Sequence, residues 1–231
     1  MIKYLIAFVG LLLVSGCSLA PVKITPSTAG ELRGQSLTTD MYPPPDFVDT
    51  TPGSALLGGL IGYAIMAKKG EGIVQKDGLQ DPAVAIGTQL AESLTRVYGM
   101  HVVINTAQLV ANDTPAALAK TYANARFLLD LKTTNWNLVY FTTAWGTYRV
   151  IYAANFRLID TETAKILAQG TCKESPDLTP TLPTYDEALA NNGVILKKMI
   201  QDDVVACVKD LEANISLPKL AYPAALSKAA N

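Results

Sequence analysis

Tyr148-Arg-Val-Ile-Tyr-Ala-Ala-Asn-Phe-Arg-Leu158, followed by Asp160-Thr-Glu-Thr-Ala-Lys165 and Ile166-Leu-Ala-Gln-Gly-Thr-Cys172, decides the fold. Tyr148, Val150, Tyr152, Ala154, Phe156 and Leu158 fall on one side of a two-residue repeat, with Arg149, Asn155 and Arg157 on the other. That is the pattern of a half-buried strand. The polar run 160–165 turns the chain, and 166–172 returns it, which predicts a long β-hairpin. Upstream, Ala125-Arg-Phe-Leu-Leu-Asp-Leu-Lys132 also alternates, and long strands follow Trp136. A helix begins after Thr114-Pro115 and carries Leu118 and Tyr122, preceded by a short strand at Met100–Ile104. Before it, Asp81 as N-cap, Pro82 at the first helical position and Gly99 past the end bound a helix whose stripe is Ile86, Leu90, Leu94 and Val97. Downstream, a proline-rich loop (176–183) leads to the capping-box match Thr184-Tyr-Asp-Glu187 and a helix with Leu196, Ile200, Val204, Cys207 and Leu211 on one face. The expected fold is α/β (α+β): a small mixed sheet with a long hairpin and helices packed on one face, spanning residues 81–217, with a loose tail at 218–231.

The N-terminal region reads differently. Lys3 precedes the apolar run Leu5–Val14, and Ser15-Gly16 then lead to Cys17, the layout of a removable signal over residues 1–16. Ten apolar residues rise only ~15 Å as a helix, about half of a hydrocarbon core. Val14-Ser15-Gly16-Cys17 resembles the lipobox of bacterial lipoproteins. That resemblance implies a diacylglyceryl group on Cys17, anchoring in a membrane, and, because Ser18 rather than aspartate follows, sorting to the outer membrane facing the periplasm. Each buried CH₂ of such a chain adds ~0.8 kcal/mol to anchoring. From 17 to 52 the composition turns to Pro, Thr, Ser and Gly, including Pro43-Pro44-Pro45, and predicts an extended tether.

Residues 53–80 are an apolar, glycine-rich segment and a linker. Gly53–Ala67 is apolar up to Lys68-Lys69-Gly70, and Ser54, Gly58 and Gly62 recur every fourth residue, on one face if the run is helical. The run is shorter than the ~20 residues of a span. Two readings stand: a packed or interfacial helix, or an oligomerisation or membrane-inserting segment of the small-xxx-small kind.

Among 231 residues, 19 are basic and 20 acidic; without Lys3 the mature chain carries 18 and 20, net −2. No basic face for nucleic acid is expected. Besides Cys17 the cysteines are Cys172 and Cys207. In an oxidising compartment a Cys172–Cys207 disulfide stapling helix to sheet is favoured over two buried thiols. His101 is the single histidine, so a two-histidine zinc site or a serine relay would have to pass through it; a partly buried, hydrogen-bonded imidazole is the expectation. Asp202-Asp203 points its two carboxylates ~100° apart on a helix, so one is expected to be solvated. No P-loop occurs. No metal, no cofactor and no enzymatic activity are expected. Trp136, Tyr140, Phe141 and Trp145 crowd the hairpin turn, either as an exposed interaction surface or, for most of them, as hairpin packing.

The segment Ala125–Leu131, then Tyr148–Leu158, then Ile159-Asp-Thr-Glu-Thr-Ala-Lys-Ile-Leu167 resembles the small periplasmic α/β domain shared by the curli-secretion lipoprotein, the lipoprotein activator of penicillin-binding proteins and the N-terminal domain of the Tol-system β-propeller protein. The likeness covers the order of elements from Asp81 to Leu211. It departs at Ala164, where such turns often hold glycine. The resemblance implies a non-catalytic module that docks on an envelope protein partner or on its own copies; the alternative is an oligomeric, membrane-inserted component of a secretion or transport system.

Overall fold

The computed structural model describes residues 19–105 and 109–218; the signal segment, Cys17 and all but the first residue of the tail lie outside the described residues. In chain order the elements are α1 (Pro26–Leu32), β1 (Ser36–Thr39), β2 (Val48–Thr50), α2 (Pro52–Ala55), α3 (Gly59–Asp77), α4 (Pro82–Tyr98), β3 (His101–Val102), α5 (Pro115–Thr121), β4 (Phe127–Phe141), β5 (Ala144–Asp160), β6 (Ile166–Glu174) and α6 (Tyr185–Asn214). One mixed sheet runs β3-β1-β4-β5-β6, with β2 on β4 further along the edge that β1 occupies. β4, β5 and β6 are antiparallel, Tyr152 standing between Trp136 and Glu174. β1 is parallel to both its neighbours, and β2 is parallel to β4.

The alternation read from β5 is the core. Tyr148, Val150, Tyr152, Ala154, Phe156 and Leu158 are all buried, facing Ile86, Leu90 and Leu94 of α4 and Leu196, Val204 and Leu211 of α6 in one cluster. Cys172 on β6 and Cys207 on α6 are bridged, with Cα atoms 5.3 Å apart, so the last helix is stapled to the sheet. On the chain-entropy model a loop of this length contributes about 4 kcal/mol. The opposite face of the sheet carries a small second cluster in which Leu118 and Tyr122, at α5, cover Leu128 and Ile159. One helix therefore lies on the far side from the others. α6 is interrupted: Asn191, Asn192 and Gly193 have positive φ, dividing it into two helical pieces.

The expected tether is a correction. Residues 22–50 are woven into the fold: Val22 bridges to Gln169, Thr25 caps α1, and β1 sits inside the sheet with Leu37 opposite Phe127. Proline and threonine dominate its composition, but the few apolar residues are each placed. Ile24, Leu32, Leu37 and Phe47 are buried, each stabilising by about 1.5–3 kcal/mol. The strand expected over 100–104 shrinks to two exposed residues, and His101 is exposed rather than partly buried, because β3 is the edge strand of the sheet.

At the base of the hairpin Arg126 grips Asp160 through two N–H groups, and the same carboxylate accepts from the backbone of Glu162 (2.9 Å) and Thr163 (3.0 Å). Burial pushes Asp160 up, but the hydrogen bonds from Arg126 and Thr163 outweigh it and hold the carboxyl below its usual range. The turn then needs a left-handed residue, and Ala164 supplies it at φ 56°. For an L residue with a Cβ this costs about 1 kcal/mol. Ala164→Gly is expected to stabilise the fold by about that much, raising Tm by roughly 2–4 °C; thermal unfolding followed by circular dichroism measures it.

Candidate functional site

Two surfaces qualify, and both are made by the path of the chain between β1 and α4. The first is an apolar cap. β2 runs parallel to the last part of β4, with Thr50 opposite Val139, so the chain leaves the sheet beside the β4–β5 turn. A Thr51/Ser54 capping box starts α2, and Gly58 and Gly59, both at positive φ, swing the chain into α3. This bend exposes Leu56 (83 %), Leu57 (59 %), Leu60 (88 %) and Ile61 (74 %). Trp145 (63 % exposed) stands at the tip of the hairpin, its indole N–H donating to the Thr142 carbonyl at 2.9 Å. Large apolar side chains gathered at one end of a sheet mark an interaction surface.

The small-residue face proposed for this segment does not form. Ser54 is in α2, Gly58 is the N-cap of α3, and Gly62 alone lies within α3, closing on the Ser54 carbonyl. α3 also continues through Lys68-Lys69-Gly70 to Asp77 instead of ending there. Gly70 sits inside the helix for a packing reason: a Cβ at that position would lie 1.6 Å from the Phe47 carbonyl oxygen, so glycine is what lets the helix lie on the 40–47 loop. Gly70→Ala is expected to destabilise the fold by about 3 kcal/mol, the upper end for an overpacked site, visible as a lowered urea midpoint.

Of the four hairpin aromatics, three are packing. Trp136 is buried with its ring 4.9 Å from Phe47, Phe141 lies under the Arg149 guanidinium at 4.3 Å, and Tyr140 is half-buried near Tyr148. Trp145 is the member left for a partner.

The second surface is a cleft of about 890 Å³. β1 pairs with β4 only to Leu129 and β2 begins opposite Asn137. Between them the 40–47 loop swings out, and the cleft opens over Leu129, Leu131 and Trp136 of β4, walled by α3 and α4. Asp81, the N-cap of α4, faces it while accepting from Ala83 N–H (2.9 Å) and the Thr133 hydroxyl; burial raises its pKa. Asp40 takes the Leu131 N–H at 3.2 Å. Its carboxyl is pushed above the usual range, first by burial and then by neighbouring Asp130. Asp130 accepts the Tyr42 hydroxyl at 2.6 Å and pairs with Arg157. Burial and Asp130 together push the Tyr42 phenol up.

No family model matches the sequence, and no curated protein sequence does either. Solved structures do resemble it. The PelC dodecamer from Paraburkholderia phytofirmans aligns over 81 % of this chain and 91 % of its own at 11 % identity, with TM-score 0.36. Lipoprotein GNA1162 from Neisseria meningitidis aligns over 73 % and 96 % at 14 % identity and TM-score 0.26. The LpoB C-terminal domain from Salmonella enterica aligns over 62 % and 84 % at 11 % identity and TM-score 0.23.

Among the described residues no three His, Cys, Asp or Glu side chains converge to hold a metal ion, and no helix is long and apolar enough to cross a membrane. Asp202 and Asp203 separate as their spacing requires: Asp202 is exposed and paired with Lys198 at 2.8 Å, and Asp203 is buried. Burial, then Glu174 and Asp202, push Asp203 up to about 7. A carboxyl raised in the folded state stabilises fully below its unfolded pKa of 3.8 and loses that contribution as pH rises through about 7. Asp203→Asn is therefore expected to gain about 1–2 kcal/mol relative to the parent on going from about pH 5 to about pH 8, read from urea melts at the two values.

Proposed function

We propose that the chain is a lipid-anchored accessory module of the cell envelope, held in the outer membrane through Cys17 and facing the periplasm, that docks on an envelope protein instead of transforming a substrate. The observation that carries this reading is the apolar cap of Leu56, Leu57, Leu60 and Ile61. Large side chains left this exposed are costly in water, and a partner surface that removes them from it recovers ~25 cal/mol per Å². The signal pattern over residues 1–16 and the lipobox ending at Cys17 supply the address.

The second reading, a membrane-inserted component, is favoured by the direction of the N-terminal chain. Val22 pairs antiparallel with Gln169, and β6 runs parallel to β4. Followed back from Val22, the chain therefore heads toward the end of the sheet that carries the cap. A lipid on Cys17 draws that end toward the bilayer.

Leu60→Glu with Ile61→Glu separates the readings. Both positions are so exposed that the folded state changes by no more than about 0.5 kcal/mol. Crosslinking in intact cells is expected to give an adduct with an envelope protein that the double variant loses, while the variant stays in the membrane fraction. An unchanged adduct, or a native protein whose intact mass lacks acyl chains, defeats the docking reading. Sedimentation of a Cys17→Ser protein with phosphatidylethanolamine–phosphatidylglycerol vesicles, abolished by the double variant, would install the inserted component in its place.

A further inference from the structure

About 890 Å³ is room for a drug-sized molecule, and the walls of the cleft include Phe47, Val74, Leu131 and Trp136. Its ionisable lining is unbalanced, with Asp40, Asp46, Glu71 and Asp81 set against Lys68. At the inner edge the imbalance becomes a countable deficit. Asp40 adjoins Asp130, and the cation facing the pair is Arg157 of β5, which gives Nε to Asp130 and Nη2 to the Asp113 carbonyl at 2.9 Å. Tyr42 donates to Asp130 from the loop, and Tyr122 faces both carboxyls from the end of α5. Lys132 pairs with Asp113 at 2.7 Å, its ammonium also standing over the Tyr42 ring at 5.2 Å. Two carboxyls thus share one guanidinium, which disfavours a second negative charge at Asp40.

We propose that the cleft binds an organic cation, an apolar body carrying one ammonium or guanidinium group, which comes to rest against Asp40. The body lies over Leu131 and Trp136 in the cleft. As the cation enters, Asp40 releases its proton to solvent and the carboxylate–ammonium pair forms. One positive charge arrives as one leaves, so the buried cluster gains an ion pair without gaining net charge. This site is separate from the apolar cap and does not depend on what docks there.

Tryptamine, tryptophol and indole-3-propionate share an indole and differ in charge, and calorimetric titration of the full-length lipoprotein in mild detergent with each of them tests the proposal. Tryptamine is expected to bind at least about 10-fold tighter than the other two. Its affinity rises between about pH 6 and about pH 8, and the heats in two buffers of different ionisation enthalpy report release of about one proton. Asp40→Asn keeps the neutral shape, its amide donating to Asp130 and accepting from the Leu131 N–H. It is expected to retain the parental Tm and lose both the tryptamine preference and the pH slope. Val84→Trp, at the exposed rim of the cleft, weakens tryptamine binding by filling the mouth and serves if Asp40→Asn fails to fold. Equal affinity for the three probes, absence of tryptamine binding at millimolar concentration, or a preference that survives either variant overturns the proposal.

Discussion

The fifteen residues of β4 are longer than any strand available to cover their outer edge, and the rest of the molecule is arranged around that mismatch. β1 covers Phe127–Leu129 and β2 covers Asn137–Val139. A continuous partner would have left a flat sheet edge between them. Instead the chain leaves the edge as the 40–47 loop, and a side chain replaces the missing strand, the Asp40 carboxyl accepting the Leu131 N–H. A buried backbone donor must find an acceptor, so a polar group is drawn into an apolar place. The cleft and its displaced carboxyl are two consequences of one gap.

Electrostatics at this gap follow from the order in which partners are assigned. Arg157 is committed to Asp130, and its second contact is a carbonyl, which neutralises nothing. Ionising Asp40 as well would place two negative charges side by side in a poorly solvated site with a single cation. Burial and the neighbouring carboxylate therefore push the Asp40 carboxyl upward. Arg126 and Asp160 present the contrary case. There the guanidinium serves one buried carboxylate with both arms, backbone N–H groups complete its shell, and the carboxyl goes down instead of up.

Legibility in the sequence tracked how far each element depends on its own residues. The hairpin 148–172, the caps of α4 and the capping box of α6 are local patterns, and the structure places them where the residues put them. β1, β2 and α1 were opaque because they are short and are stabilised by what they touch. Leu37 is buried by its neighbours in the sheet, and no periodicity can form in four residues. Gly70 illustrates the limit from the other side. In a sequence, glycine after two lysines is a helix stop; here it lies inside the helix, and glycine is required because the Phe47 carbonyl, twenty-three positions earlier, occupies the space of a side chain. The apolar run 53–67 was visible, as a packed or interfacial helix or as an oligomerisation or membrane-inserting segment, but the bend at Gly58-Gly59 that exposes its leucines was not. Spacing of four within one helix is meaningless once the helix is broken in the middle. Asn191-Asn192-Gly193, which breaks α6, carried a turn signature inside an otherwise regular stripe. At the end of that run glycine is also required sterically, since the Asp77 carboxyl stands 2.8 Å from where a Cβ of Gly193 would be.

The apolar cap and the cleft are successive parts of one helix. α3 begins at the bend that exposes Leu60 and Ile61, and its later turns present Lys68, Glu71 and Val74 to the cleft. Of its nineteen residues only Gly62, Gly70, Ile73 and Asp77 are buried, most of them in its C-terminal half. An element with so little buried surface belongs to the least stable part of a fold. It is nevertheless tied down along its length: Gly62 closes on the Ser54 carbonyl, the Tyr63 hydroxyl donates to Asp46 at 3.0 Å, and Gly70 lies against the Phe47 carbonyl. The same helix thus closes one side of the gap left in β4 while its first turn stays in solvent, so the cap and the cleft wall share one element without sharing residues.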